Sequence, residues 1–131
     1  MRYLLPLVAA AALTACAQTK EATNLAPLSV AFEWSSADKC ATSSPAFTVS
    51  GVPEGTAKLK FKMTDLDVPS YNHGGGTVAF NGDQIPAGAF TYKGPCPPSG
   101  SHDYQWKVEA LNAAGDTILG RGEATRPFPP T

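Results

Sequence analysis

Strict alternation of apolar and polar side chains is the feature that most limits how this chain can fold. In AKLKFKMT, residues 57–64, the apolar side chains of Ala57, Leu59, Phe61 and Met63 would lie on one face of an extended strand, because successive side chains of a strand point to opposite sides. The intervening lysines would face water. A strand with one buried face favours an antiparallel sheet packed on a second layer.

The same alternation recurs along the chain. It is clear in YQWKVEAL, residues 104–111, and in LSVAFEW, residues 28–34. Weaker strand candidates are bounded by glycine, proline or asparagine: PAFTVSG (45–51), GTVAFNG (76–82), AFTYKG (89–94) and DTILGRG (116–122). No segment after residue 15 combines helical periodicity with helix caps. These patterns predict an all-β domain of about six to eight short strands, either a sandwich or an open barrel.

Two local signals shape the C-terminal part of the chain. The sequence NAAGD, residues 112–116, is typical of the turn of a β-hairpin. The tail TRPFPPT, residues 125–131, is not expected to continue a central strand, because proline donates no hydrogen bond to a β-ladder.

The first residues are typical of an export signal. Arg2 precedes an apolar run from Leu4 to Leu13, which is shorter than the roughly 20 residues that a membrane-spanning helix needs. The sequence LTAC, residues 13–16, resembles the lipobox of bacterial lipoproteins, whose cysteine, here Cys16, carries the lipid. A plain secretory signal with a chance cysteine is the alternative.

These features divide the chain into three parts. Residues 1–15 are predicted to be a lipoprotein signal peptide, residues 16–26 a polar tether without periodicity, and residues 27–131 a single β domain, since this length suffices for one domain and not for two. By the lipoprotein resemblance, Ala17 favours the outer membrane. We therefore expect a lipid-anchored protein of the cell envelope that faces the periplasm.

Charge and cysteine content exclude some function classes. Ten basic and eleven acidic residues give a net charge of −1, so there is no basic excess to attract nucleic acid. Cys40 and Cys96 form an even pair, which in an exported protein predicts a disulfide. A zinc site would need more ligands at tighter spacing, so no metal site is expected.

The first candidate functional loop is TDLDVPSYNHGGGTV, residues 64–78, which follows the strongest predicted strand. The carboxylates of Asp65 and Asp67 would share one face of an extended chain. His73 precedes three glycines, which allow backbone N–H groups to turn toward a ligand. The alternative is an ordinary acidic surface turn with a glycine hinge.

The second candidate loop is GPCPPSGSHDY, residues 94–104. Its prolines fix the backbone and its glycines permit unusual turns, so the segment is predicted to be a rigid loop. It ends in the titratable ring of His102 and the phenol of Tyr104. The alternative is a proline-rich connector that leads into a strand.

Together the two loops resemble the phosphatidylethanolamine-binding protein family, which includes the Raf kinase inhibitor proteins. DLDVP, residues 65–69, is similar to the family's Asp-Pro-Asp-x-Pro signature, and residues 94–104 to its Gly-Pro-x-Pro-Pro-x-Gly-x-His-Arg-Tyr signature. The Ser-Pro at 44–45 and GVPEGT at 51–56 match further family elements. The resemblance extends over roughly residues 40–111.

This resemblance implies an antiparallel β-sandwich, compressed here and without the usual C-terminal helix, with an anion pocket at one end. Such a pocket accepts phosphate, acetate or a phospholipid head group and needs no cofactor. His102 and Tyr104 can donate to a phosphate oxygen, whereas Asp65 would orient His102 rather than touch an anion. The ligand-binding residues that the resemblance implies are Asp65, Asp67, Pro98, His102 and Tyr104.

The chain departs from the family pattern at two positions. Asp103 stands where the family has arginine, which exchanges a positive charge for a negative one. The family's pocket histidine after the first motif aligns with Gly76, and His73 lies three residues earlier. His73 is therefore the candidate substitute for that ring in ligand binding, and the alternative is that it does not enter the pocket.

These observations predict a membrane-anchored periplasmic protein that binds a small anion or a phospholipid head group without transforming it. The alternative is a protein-interaction or inhibitory module that uses the same loops. An enzyme is not expected, because no nucleophile motif such as Gly-x-Ser-x-Gly occurs.

Overall fold

The computed structural model describes residues 10–11 and 18–131, and the predicted signal peptide and lipidated Cys16 lie largely or wholly outside this part. One short 3-10 helix spans Ser36–Asp38. The strands are β1 Lys20–Pro27, β2 Ser29–Ala31, β3 Phe47–Ser50, β4 Lys58–Asp65, β5 Gly75–Ala79, β6 Gln84–Ile85, β7 His102–Leu111 and β8 Thr117–Phe128. Within the described ranges, no helix is long and apolar enough to cross a bilayer.

The strands form two sheets, which confirms the predicted all-β, two-layer class. The larger sheet has the order β1-β8-β7-β4-β5 and the smaller the order β2-β3-β6. All pairings between neighbouring strands are antiparallel except that of β1 with β8, which is parallel. No α-helix occurs in the part of the chain that the structure describes, in line with the expected lack of a C-terminal one.

Aromatic rings from both sheets form the core between the layers. Phe47 of β3 lies with its ring centroid 4.7 Å from that of Phe61 of β4 and 5.2 Å from that of Trp106 of β7. Phe90 packs against all three. The predicted inward positions of β4 and β7 are buried, as alternation requires.

The N-terminal segment differs from the prediction. Residues 20–26, predicted to belong to the tether, form β1 together with Pro27 and pair with Thr117–Arg121 of β8. As an edge strand it is exposed along most of its length, so its composition lacks the apolar alternation that marks a half-buried strand. Its backbone hydrogen bonds place it in the sheet, and the side chain of Glu21 also accepts from Arg121 of β8 at 2.6 Å.

The C-terminal segment also differs from the prediction, because β8 continues through Pro127 to Phe128. Pro127 pairs only with Asp103 of β7, beyond the point where β1 has ended. At that position β8 has a neighbour on one side only, and a residue without an N–H is tolerated there. The candidate strand 89–94 is not a strand and contributes a single bridge, from Thr91 to Ser43.

Two features of the fold determine where functional side chains meet. In the antiparallel pair β4–β7, Asp65 at the end of β4 lies opposite Tyr104 near the start of β7. The predicted disulfide joins Cys40 to Cys96, with the two Cα atoms 4.7 Å apart. It ties the proline-rich loop to the segment before β3, and the Cys40 amide also donates to the Pro95 carbonyl at 2.8 Å.

Candidate functional site

A cavity of about 380 Å³ lies at the end of the sandwich where β4 ends and β7 begins. Five of the six predicted ligand-binding residues line it: Asp65, His73, Pro98, His102 and Tyr104. Its wall also includes Val68, Tyr71, Gly94, Cys96 and Pro97. The two loops singled out from the sequence therefore meet at one concavity.

Asp65 and His102 form the polar centre of the cavity. The Nδ1–H of His102 donates to Oδ2 of Asp65 at 2.7 Å. The other carboxylate oxygen, Oδ1, accepts from the amides of Asp67 and Val68 at 2.9 and 3.2 Å. Asp65 is thus a buried carboxylate with three N–H donors, and it bonds both the imidazole of His102 and the amides of its own loop.

The pKa values of the pair move in opposite directions. The hydrogen bond to Asp65 is the main cause that raises the pKa of His102 above its ordinary 6.5. Burial acts to raise the pKa of Asp65, but the hydrogen bonds from His102 and from two backbone amides outweigh it and hold that pKa below the ordinary 3.8. Both shifts favour the charged pair, Asp65 carboxylate with His102 imidazolium.

The signs of these shifts predict a stability window for the pair. The contribution of His102 is fully present below about pH 6.5 and is lost as pH rises through its raised folded pKa; that of Asp65 is present above about pH 4 and is lost as pH falls through its lowered pKa. We expect the difference in denaturant midpoint between the wild type and Asp65→Asn to be largest between these limits and to shrink at pH 9. Urea unfolding followed by circular dichroism measures it.

The Asp65→Asn change is a conservative test, because an asparagine Oδ1 can still accept from the two loop amides. A proton NMR titration of His102 provides the direct check. Its pKa should fall when Asp65 is replaced, and a pKa that is equal in both proteins would contradict the pairing.

His73 reaches the cavity from the loop before β5 and is 5% exposed. Its Nδ1 lies 2.6 Å from the Lys93 carbonyl oxygen, and the Lys93 amide donates back to the His73 carbonyl at 2.9 Å. Its ring lies edge-on to Tyr104, with centroids 5.6 Å apart. These contacts hold the ring at the cavity wall, and its role as a substitute for the family's histidine stays a prediction.

Tyr104 forms the floor between cavity and core and is 1% exposed. Burial raises the pKa of its phenol to about 12, with a smaller contribution from the Asp65 charge, while the Cys96 backbone hydrogen bond acts in the opposite direction. The phenol therefore stays protonated at neutral pH. Its O–H is available as a donor to a ligand.

Asp67 is the predicted site residue that does not line the cavity. Its Oδ2 accepts from the Asp103 amide at 2.8 Å, and the Leu66 amide donates to the Asp103 carbonyl at 2.8 Å. Asp67 thus fixes the loop to the start of β7. One ligand atom each of Asp65, Asp67 and His102 lies within 4.8 Å of the others, close enough to share a metal ion. Both carboxylate oxygens of Asp65, however, already accept hydrogen bonds.

The sequence reasoning missed the apolar rim of the cavity. Leu66, Val68 and Tyr71 are 46%, 41% and 50% exposed, and they are the exposed large hydrophobic residues of the described chain. All three lie in the loop 66–71. The available signal was their occurrence in an otherwise polar loop, where apolar side chains have no core to fill.

The glycine run has a structural role at two of its positions. A Cβ on Gly75 would collide with the backbone of Phe61, and one on Gly76 would collide with the ring of Phe90. These glycines let β5 close on β4 and on the core. Close packing therefore explains the glycines at these two positions, without the predicted role in which their N–H groups turn toward a ligand.

The geometry defines a class of protein, a β-sandwich whose end loops enclose a small polar cavity with an apolar rim. The chain belongs to the phosphatidylethanolamine-binding protein family, because the family model for phosphatidylethanolamine-binding protein matches residues 18–127. No curated protein sequence matches it.

Solved structures share the fold at low sequence identity. YbcL of E. coli, described as a member of the mammalian PEBP family, is 19% identical with a TM-score of 0.62, over 77% of this chain and 97% of that one. A PEBP homologue from Chlamydia trachomatis is 18% identical with a TM-score of 0.63, over 83% of this chain and 100% of that one.

Proposed function

We propose that this protein binds a small anion, either free or as the phosphate-bearing head group of a phospholipid, and does not transform it. The observation that carries the proposal is the Asp65–His102 ion pair inside the cavity, at 2.7 Å. With Nδ1 of His102 committed to Asp65, its Nε2–H remains as a charge-assisted donor. The Tyr104 hydroxyl is a second donor at the same cavity.

The charge balance of the cavity favours a ligand with a small negative charge. Among the residues that line it in the described chain there is no lysine or arginine, and Asp103 occupies the position of the family's arginine. The Asp65–His102 pair is neutral as a whole. A single negative charge can approach the imidazolium, whereas a second would have no cation to meet it.

The apolar rim suits a ligand that continues beyond a polar head. Val68 and Tyr71 line both the cavity and its exposed edge. An acyl or glycerol portion of a phospholipid would contact these side chains while its phosphate contacts His102. The lipobox-like sequence at residues 13–16 supports a lipid anchor on Cys16, and with it a position on the periplasmic side of the outer membrane.

A thermal-shift experiment tests the proposal. Phosphate at about ten times its Kd is expected to stabilise the protein by about 1.4 kcal/mol, which raises the Tm by about 5 °C for a domain of this size. His102→Ala should abolish the shift, because it removes the charged donor. Differential scanning calorimetry with sodium phosphate against sodium chloride at equal ionic strength measures it.

Lys60→Ala is the matched control. Lys60 is an exposed cation on β4, the strand that carries Asp65, but it does not line the cavity. Its removal should leave the phosphate shift intact. An equal loss in both variants would indicate diffuse electrostatics, and no shift in the wild type at millimolar phosphate would contradict the proposed function.

The exposed rim also favours the alternative of a protein-interaction or inhibitory module. Leu66, Val68 and Tyr71 could contact a partner protein by the same loop. A Leu66→Ser variant distinguishes the two functions, because Leu66 is exposed on this loop and does not line the cavity. It should keep the phosphate shift if the cavity binds anions, and it should lose a crosslinked envelope partner only if the rim is a protein contact.

A further inference from the structure

The tautomer of His73 is determined by its backbone partner. A carbonyl oxygen can only accept a hydrogen bond, so the His73 Nδ1 that lies 2.6 Å from the Lys93 carbonyl carries a hydrogen. In the neutral ring the remaining nitrogen, Nε2, is then an acceptor. It makes no hydrogen bond to any residue that the structure describes, and the ring lines the cavity.

The surroundings of His73 supply no cation or carboxylate in contact with its ring. Tyr71 lies against one side, with ring centroids 4.6 Å apart, and the edge contact to Tyr104 is on another. The ammonium group of Lys93 lies over the Tyr71 ring, 5.7 Å from its centroid. The charged groups among the cavity residues are Asp65 and His102, which are paired with each other.

The cavity therefore offers donors and an acceptor on different residues. His102 and Tyr104 present N–H and O–H donors, and His73 presents a lone pair. A phosphodiester has only acceptor oxygens, so one that occupied the cavity would face the His73 lone pair with an oxygen lone pair. A ligand that carries a P–O–H group would instead donate to it.

Resting on the proposed function, we propose that the cavity selects oxyanions that bring their own hydroxyl proton, such as a phosphomonoester or phosphonate monoanion, over phosphodiesters. His73 is the residue that makes this selection, through its Nε2 acceptor. The proposal restricts the lipid candidates to those whose head group ends in a phosphomonoester.

Two probes of equal charge and size test the selection. Ethylphosphonate at pH 7 exists largely as a monoanion with one P–O–H, and methyl methylphosphonate is a monoanion of the same number of heavy atoms without one. Calorimetric titration of the full chain should give at least tenfold tighter binding of ethylphosphonate. Equal binding, or tighter binding of the ester, overturns the selection while leaving anion binding intact; if neither probe binds, the proposed function itself fails.

Two measurements on His73 show whether that residue is responsible. In His73→Gln the side-chain amide can turn a donor toward the ligand, so the preference should fall to near one, while a retained tenfold preference would overturn the assignment. If this variant does not fold, nitrogen-15 NMR of the wild-type imidazoles gives the answer. In the neutral His73 ring the proton should lie on Nδ1, as the contact with the Lys93 carbonyl requires, and a neutral ring with its proton on Nε2 would overturn the proposal.

Short-chain lipids distinguish a head group from a free anion as the source. Dihexanoyl phosphatidic acid is a phosphomonoester, and dihexanoyl phosphatidylethanolamine is a phosphodiester. We expect the first to bind more tightly, and the reverse order would overturn the selection. If the preference for phosphomonoesters holds, tighter binding of phosphatidic acid than of ethylphosphonate assigns the site to a lipid. Equal binding of the two assigns it to a free anion.

Discussion

Replacing Trp106 by alanine is expected to lower the free energy of unfolding by about 3–5 kcal/mol, the range found for large aromatic residues in cores. Trp106 is 0% exposed, and its ring lies 5.0 to 5.6 Å, between centroids, from those of Phe47, Phe90 and Tyr92. Alanine would leave a cavity between the two sheets that these rings cannot fill. Urea unfolding followed by circular dichroism measures the loss.

Trp106→Phe sharpens this prediction. The indole Nε1 of Trp106 is buried without a hydrogen-bond partner among the described residues, so phenylalanine removes an unsatisfied donor together with part of the ring. We expect a loss of less than half that of the alanine variant. Lys107→Ala, the next residue on the opposite face of β7, should change stability by about 0.5 kcal/mol or less. A phenylalanine variant less stable than the alanine variant would contradict the packing described.

Breaking the Cys40–Cys96 disulfide is expected to cost about 4 kcal/mol on the chain-entropy account. The two cysteines are 56 positions apart, so the bond restricts a large part of the unfolded chain. Binding should weaken as well, since Cys96 lines the cavity and its backbone acts on the Tyr104 phenol. Guanidinium unfolding of the oxidised protein and of a Cys40→Ser/Cys96→Ser variant measures the stability.

The double serine variant also provides the control for reductant. Dithiothreitol should lower the unfolding midpoint of the wild type to near that of the variant and should leave the variant unchanged. A wild-type midpoint that stays the same after free thiols have been demonstrated would show that the bond contributes little to stability.

The strands that pack on the core could be predicted from sequence, and the exposed edge strand β1 could not. The side chains of β4 and β7 alternate between apolar and polar because each strand has one face on the core. Their sequence therefore predicts that they are strands and which face is buried. β1 lies at an edge and pairs with β8, about a hundred residues away. The ion pair of its Glu21 with Arg121 of β8 joins residues a hundred positions apart and gives no periodic pattern in the sequence.

The candidate site was predictable in its members more than in its geometry. Asp65, His102 and Tyr104 could be placed together from two motifs on neighbouring strands. The inward turn of Asp65 and the outward position of Asp67 depend on hydrogen bonds to the amides of residues 67, 68 and 103, which no local pattern specifies. The exposure of Leu66 at the rim likewise depends on tertiary packing.

The opposition of Asp65 and Tyr104 across β4 and β7 constrains how the chain can change length during evolution. One residue inserted into β4 would turn Asp65 to the other face of the sheet and separate it from His102. At the far end of β7, the turn 112–116 joins this strand to β8 and lines no part of the cavity. Relatives are therefore free to grow or shrink at that turn, while the end that holds the cavity must keep its spacing.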